Sequence, residues 1–435
     1  MKGRNAGPPP RTGTPPRVQP VPERVRKGPG PMDPVFLFLV LGLVCFGLVM
    51  LLSASMFEGL SNDESPMYFF TRQVLFTLLG GTACLFLGLQ NLRRLDRPKL
   101  AILLYGACVA ILVLVLIPGI GKVIGGGRRW FMFGSYQLQP SEIVKFLIVF
   151  CLAVYYSRLE LRRSQGFLDR GSRIGSLSAR TWYEFLLPVV LLLPLLLLVA
   201  MEPHMSGVII LSLIAGAVIC LSGARASSIL AGVAVLLIFA VLLGMLVLAL
   251  VPVLPPSIQK YTNLTYVGER LETFFQPEAA DDDQSWQPRQ AVQAIGAGGL
   301  MGVGLGQGRQ KYGYLPMSYN DYIFAIIGEE LGFVGAILVL ILFLALLFRG
   351  VFLARRATST FGSIIAAGYT ILLALQALLN IGVATNSIPP TGISLPFFSY
   401  GGSSNLIFLM AVGMVLSVSR TQRKTVVPAS RGGRS

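Results

Sequence analysis

Apolar runs of about 20 residues recur along the chain, the length an α-helix needs to cross the hydrocarbon core of a bilayer. They cover 33–55, 68–90, 100–118, 140–157, 184–201, 205–222, 227–252, 321–348, 360–384 and 398–419. Within each run the apolar residues are continuous, without the alternation of a transmembrane barrel strand. The pattern predicts an all-α polytopic membrane protein. About ten transmembrane helices are expected, with a large external loop, 253–320, between the seventh and eighth. Two of the runs are divided only by a turn built around Pro203 and Gly207. Outside the membrane domain, 33–419, residues 1–32 form a basic, Pro- and Gly-rich tail expected to be disordered, and 420–435 a second basic tail.

Charge sets the orientation. With both termini inside, 26 of the 36 Lys and Arg residues fall on cytoplasmic segments, as the positive-inside rule requires. The net charge of +16 is mostly this bias plus the tails, so it needs no nucleic-acid partner; anionic lipid headgroups would attract the tails. The five cysteines, 45, 84, 108, 151 and 220, all fall in apolar runs and read as small core residues rather than a disulfide framework. The first apolar run follows a long polar tail and is read as an anchor, not a cleaved signal.

Carboxylates at membrane depth are costly, and the stretch KYGYLPMSYNDYIFAIIGEELG, Lys311 to Gly332, holds three. Asp321 stands at the external mouth of its run. At helical spacing it shares a face with Ala325, Gly328 and Gly332, where another helix or a lipid chain can approach. It reads either as an N-terminal helix cap or as a base. Glu329 and Glu330, deeper, read as buried pairing groups. Glu142 and Lys145 share a helix face in QPSEIVKF; the lysine wants an acidic partner, with Glu142, Glu329 and Glu330 as candidates. Gln376 and Asn380, one turn apart, are expected to hydrogen-bond across helices.

Lys122, Arg128 and Arg129, beside Trp130, break the positive-inside pattern. They either snorkel at the interface or meet a diphosphate or other anionic headgroup. Ser399, Ser403 and Ser404 in SYGGSS offer hydroxyls to a ligand or simply form a turn. The glycine-rich AIGAGGLMGVGLGQGRQ is neither a dinucleotide fingerprint nor a phosphate-binding P-loop. His204 is the only histidine, which leaves no histidine-based metal cluster.

Three stretches, GGGRRWFMFGSYQLQPSEIVKF, AIGAGGLMGVGLGQGRQKYGYLPMSYNDYIFAIIGEELGFVG and PPTGISLPFFSYGGSSN, resemble in content and order the SEDS family of FtsW, RodA and SpoVE, over about 33–420. The long N-terminal tail and GISLPFFSYGGSS lean toward the FtsW-like division branch. The resemblance implies a peptidoglycan glycosyltransferase that polymerises lipid II into β-1,4 glycan outside a bacterial plasma membrane, with both termini cytoplasmic. The growing strand would be an undecaprenyl-diphosphate-linked glycan. A class B penicillin-binding protein and other division or elongation proteins would be partners. The family's essential acid falls on Asp321. Tyr319 and Asn320 replace its usual His-Thr, and His204 replaces a usual aspartate.

Making a β bond from an α-linked diphosphate inverts the anomeric carbon, which needs one base and no carboxylate nucleophile. Cations can stabilise the departing diphosphate; the candidates are Lys122, Arg128, Arg129, Arg270 and Lys311. A divalent cation, Mg or Mn, could share the task, although no ligand cluster marks one. A lipid-linked precursor flippase and a non-catalytic divisome scaffold are the rival readings.

Overall fold

The computed structural model describes residues 30–61, 63–124, 127–134, 136–169, 173–202, 204–250 and 282–421. Thirteen α-helices are found among them. These are α1 (Pro34–Ser61), α2 (Tyr68–Leu89), α3 (Leu92–Leu95), α4 (Pro98–Leu116), α5 (Pro140–Ser164), α6 (Arg173–Thr181), α7 (Leu187–Met201), α8 (Met205–Leu221), α9 (Ala226–Leu250), α10 (Asp282–Gly298), α11 (Ile323–Arg355), α12 (Thr360–Ala384) and α13 (Gly402–Arg420). Seven helical stretches, α1, α2, α4, Leu177–Met201, α11, α12 and α13, are long and apolar enough to cross a membrane. Helices α5, α8 and α9 occupy the three remaining expected spans. Proline opens α4 and α5, where its missing N–H costs nothing and its fixed φ suits a first turn. The expected tails, 1–32 and 420–435, lie almost wholly outside the described residues, as does 253–281 of the long loop.

The bundle interior is built around α5 and α12, whose side chains are buried over most of their length. Many apolar side chains of α2, α4 and α9 point outward and are exposed, the surface a bilayer covers. At one end of the bundle Arg349 of α11 holds Asp33 through two hydrogen bonds. There Arg420 also donates to the carbonyls of Gly30 and Gly88. The other end carries Asp321.

Two features at the Asp321 end were not expected. Between α4 and α5 the chain forms a three-stranded antiparallel sheet: β1 (Lys122–Ile124), β2 (Gly127–Phe133) and β3 (Tyr136–Leu138). The second feature is the long loop, which is not all irregular. Residues 282–298 form α10, which packs on α11 with Gly298 against the Gly328 and Glu329 carbonyls and Ile295 against Gly328.

Helix α11 is broken at Gly332, which has φ 65° and ψ −165°, a conformation that only glycine adopts readily. The turn after α10 fills the break. Val303 and Gly304 N–H donate to the carbonyls of Glu329 and Glu330, and Phe333 and Val334 N–H donate to the carbonyls of Gly299 and Leu300. Four backbone groups that a broken helix would leave bare at membrane depth are thus satisfied. The small-residue face is therefore covered by the chain itself: Gly328 lies against Ile295, and Gly332 against Leu300 and Gly302.

Candidate active site

The turn Tyr319-Asn320-Asp321 is held from three sides. Asn380 of α12 donates to the Asp321 carbonyl (2.7 Å) and to the Ile393 carbonyl (2.7 Å). The Ser399 hydroxyl donates to the Asn320 carbonyl (2.6 Å), and Tyr400 N–H donates to the Tyr319 carbonyl (2.9 Å). Gln73 of α2, fully buried, fixes the far side by donating to the Ser399 carbonyl and accepting from Gly401 N–H. Phe69, Tyr319 and Tyr400 pack ring against ring behind it.

The restraint acts on the backbone and leaves the side chain free. Among the described residues the Asp321 carboxylate has no hydrogen bond. Helix α11 starts at Ile323 with Tyr322 as its N-cap residue, so Asp321 is not a helix cap, and it is not on the α11 face that Gly328 and Gly332 share. Burial pushes its carboxyl up to about 6, partly opposed by the Arg129 guanidinium.

Arg129 and Trp130 sit on β2, half-buried, with buried side-chain nitrogens (Arg129 Nε and Trp130 Nε1) that have no hydrogen-bond partner among the described residues. Pairing with β1 and β3 carries Arg129 within electrostatic reach of Asp321, Glu202 and His204. His204 is buried, with Nδ1 3.1 Å from the Ser141 hydroxyl. Burial first, then Lys145 and Arg129, hold its imidazole down at about 3, so it is neutral.

Glu142 is the partner of Lys145 (2.6 Å), and the Gln376 side-chain oxygen Oε1 accepts a second bond from the same ammonium (2.9 Å). All three side chains are buried.

Glu329 and Glu330 pair elsewhere. Glu329 accepts from the N–H groups of Arg309 (2.7 Å) and Gln310. Glu330 accepts from Lys311 (2.6 Å), Ser53 and Gly306 N–H. Lys311, expected near a diphosphate, is thus a buried partner of Glu330. Ser399 and Ser404 likewise differ from the expected open hydroxyls: Ser399 bonds to Asn320 and Leu395, and Ser404 donates to the Gly401 carbonyl. Ser403 is buried in the first turn of α13.

Arg128 donates to the Leu116 carbonyl, and Lys122 is exposed on β1. Arg270 lies outside the described residues. Of the described basic residues anticipated for an anion, Arg129 acts electrostatically on Asp321. Among the described residues no group of three or more His, Cys, Asp or Glu side chains is placed to hold a metal ion.

Sequence reasoning missed Gln73 and Glu202. Gln73 gave no signal beyond being a polar residue within an apolar run. Glu202 did give one: it is a lone acid in the short break between two apolar runs.

A lipid-embedded helical bundle carrying one unbonded aspartate, a guanidinium and buried polar groups at one end defines a polytopic membrane protein with a polar site at its membrane boundary. The chain belongs to the FtsW, RodA and SpoVE family, whose model, described as "Cell cycle protein", matches residues 34–424. It is 36% identical over 390 residues to a probable peptidoglycan glycosyltransferase FtsW of Trichlorobacter lovleyi, covering 89% of this chain and 93% of that one. It is 34% identical to the stage V sporulation protein E of Bacillus subtilis, covering 90% and 98%. Among solved structures it resembles a chain of a peptidoglycan synthase complex described as coordinating polymerisation and crosslinking. There the TM-score is 0.66 and the identity 29%, covering 89% of this chain and 98% of that one.

Proposed function

We propose that the protein is a peptidoglycan glycosyltransferase that polymerises lipid II, with Asp321 as the general base. The observation that carries the reading is the contrast at Asp321 itself: a backbone fixed by Asn380 and Ser399, and a carboxylate with no hydrogen bond among the described residues, within electrostatic reach of Arg129. Relatives named as peptidoglycan glycosyltransferases support the reaction class.

The ionised carboxylate takes the proton of the acceptor hydroxyl as that oxygen attacks the anomeric carbon of the growing strand. The bond to the undecaprenyl diphosphate breaks on the opposite face, and its electron pair leaves with the diphosphate. Inversion needs no second carboxylate. Arg129 supplies positive charge for the leaving anion, in place of a general acid. The Asp321 end faces outward from a bacterial plasma membrane, both termini lie in the cytoplasm, and a class B penicillin-binding protein crosslinks the product. The distribution of basic residues and the FtsW-named relatives support this orientation and a role at division.

The test is glycan polymer formed from purified lipid II by the full-length protein. The wild type is expected to make polymer and Asp321→Asn at most a trace of it while remaining folded. Polymer from the Asn variant at the wild-type rate would end the base assignment.

A further inference from the structure

Glu202 ends α7 at the turn into α8, beyond the last membrane-spanning residue, Met201. It is 0% exposed, and neither carboxyl oxygen has a hydrogen-bond partner among the described residues. The turn is stacked under the sheet: a Cβ on Gly127, the first residue of β2, would come within 2.8 Å of the Glu202 carbonyl oxygen. Arg129 follows two residues later on that strand, and its own buried Nε is also without a partner.

A buried carboxylate with neither hydrogen bond nor ion pair is costly, so such a group keeps its proton. Burial holds the Glu202 carboxyl up at about 8, partly opposed by Arg129. The other charged or titratable groups of the neighbouring elements are engaged elsewhere, neutral or exposed. His204 is neutral, Lys145 is bound to Glu142 and Gln376, Arg128 is bound to the Leu116 carbonyl, and Lys122 is exposed on β1. Arg129 is a cation that acts on both Asp321 and Glu202.

We propose that Glu202 is a positioning residue for the transfer reaction: as an uncharged acid it leaves the Arg129 guanidinium to Asp321 and the departing diphosphate, and on ionising it draws that cation away. The inference rests on the assignment of Asp321 and Arg129 above. A permanently ionised acid beside Arg129 would neutralise the cation, and an apolar residue would not respond to pH. A protonated carboxyl gives a site that is switched on at neutral pH and declines in alkali.

The experiment is polymer formation from saturating lipid II by the full-length protein at pH 7.5 and 9. From a group titrating at about 8, wild type should lose about fivefold or more across that interval. Glu202→Gln, uncharged throughout, should lose less than about twofold between the same two pH values, and Glu202→Asp should keep the fall. A flat wild-type profile, or a Gln variant that falls as the wild type does, overturns the proposal.

Binding of inorganic pyrophosphate to wild type gives a second readout if the Gln variant fails to fold. Binding should weaken from pH 7.5 to 9 although the anion's own charge rises; unchanged or tighter binding overturns the proposal. Activity in Asp321→Asn would defeat the underlying base assignment. A missing alkaline fall in an enzyme that still depends on Asp321 defeats the role of Glu202 alone.

Discussion

Two acidic sites, Glu329 and Glu330 within α11 and Asp321 just before it with Glu202 at the α7–α8 turn, are built in opposite ways. Glu329 and Glu330 are saturated: backbone N–H groups of 306–310, the Ser53 hydroxyl and the Lys311 ammonium occupy their oxygens. Among the described residues the Asp321 and Glu202 carboxyl oxygens have no hydrogen-bond partner, and Arg129 acts electrostatically on both. The deeper pair cannot take part in chemistry without losing its partners, so its charges serve to seat the loop. The shallower pair has no such partner among the described residues, so the Asp321 charge is available to a substrate and the buried Glu202 carboxyl keeps its proton. Charge at membrane depth is therefore not by itself the mark of a catalytic residue; what matters is which oxygens are already bonded.

Substitutions can separate the two sites. The largest effect is expected from Asp321→Asn: polymerisation should fall by about two to four orders of magnitude, the range for loss of a general base. Its midpoint of thermal unfolding in detergent should barely move, because the Asn380 and Ser399 bonds reach only the backbone. A large loss of stability instead would place Asp321 with the structural acids.

Next comes Lys311→Met, which leaves Glu330 buried without its cation. The expected cost is about 3–5 kcal/mol of stability, read by thermal or denaturant unfolding. Combining it with Glu330→Gln should recover part of that loss. Stability equal to wild type in the single variant would contradict the buried pair.

Gly332→Ala is expected to cost about 1–3 kcal/mol, since alanine resists φ 65° and its Cβ would overlap Leu300 and Gly302. Unfolding measurements check it, and a neutral result would mean that α11 can straighten.

The smallest effect is in acid. Only ionised Asp321 can accept a proton, and its carboxyl titrates at about 6. The rate should therefore fall about tenfold as pH is lowered from 7 to 5. A rate that is constant across that interval would leave Asp321 without the raised pKa that burial gives it.

Much of this was legible in the sequence. Uninterrupted apolar runs announce membrane helices, because a bilayer tolerates little else. Lys145 announced a buried acidic partner, although spacing alone could not choose Glu142 over Glu329 or Glu330. What stayed hidden depended on long-range geometry. Asp321 looked like a helix cap because the break between loop and helix comes two residues later than the apolar pattern suggests. Lys311 looked like a free external cation because its partner, Glu330, comes 19 residues later, across the turn. The sheet at 122–138 is short and rich in glycine and charge, so no alternation announced it. Glu202 was visible only as an isolated acid, since nothing local reveals that β2 covers it.

The break in α11 also has a bearing on biosynthesis. Gly299 and Leu300 leave the ribosome before Phe333 and Val334, the N–H donors that their carbonyls must meet. The turn therefore cannot take its final place until the second half of α11 has been made and inserted. Until then its glycine-rich backbone has to remain in water or at the headgroups, where its polar groups are solvated. Closure of the 282–334 unit is thus a late, post-insertion event, and a nascent chain arrested just short of Phe333 should leave the turn open to a protease that the finished protein resists.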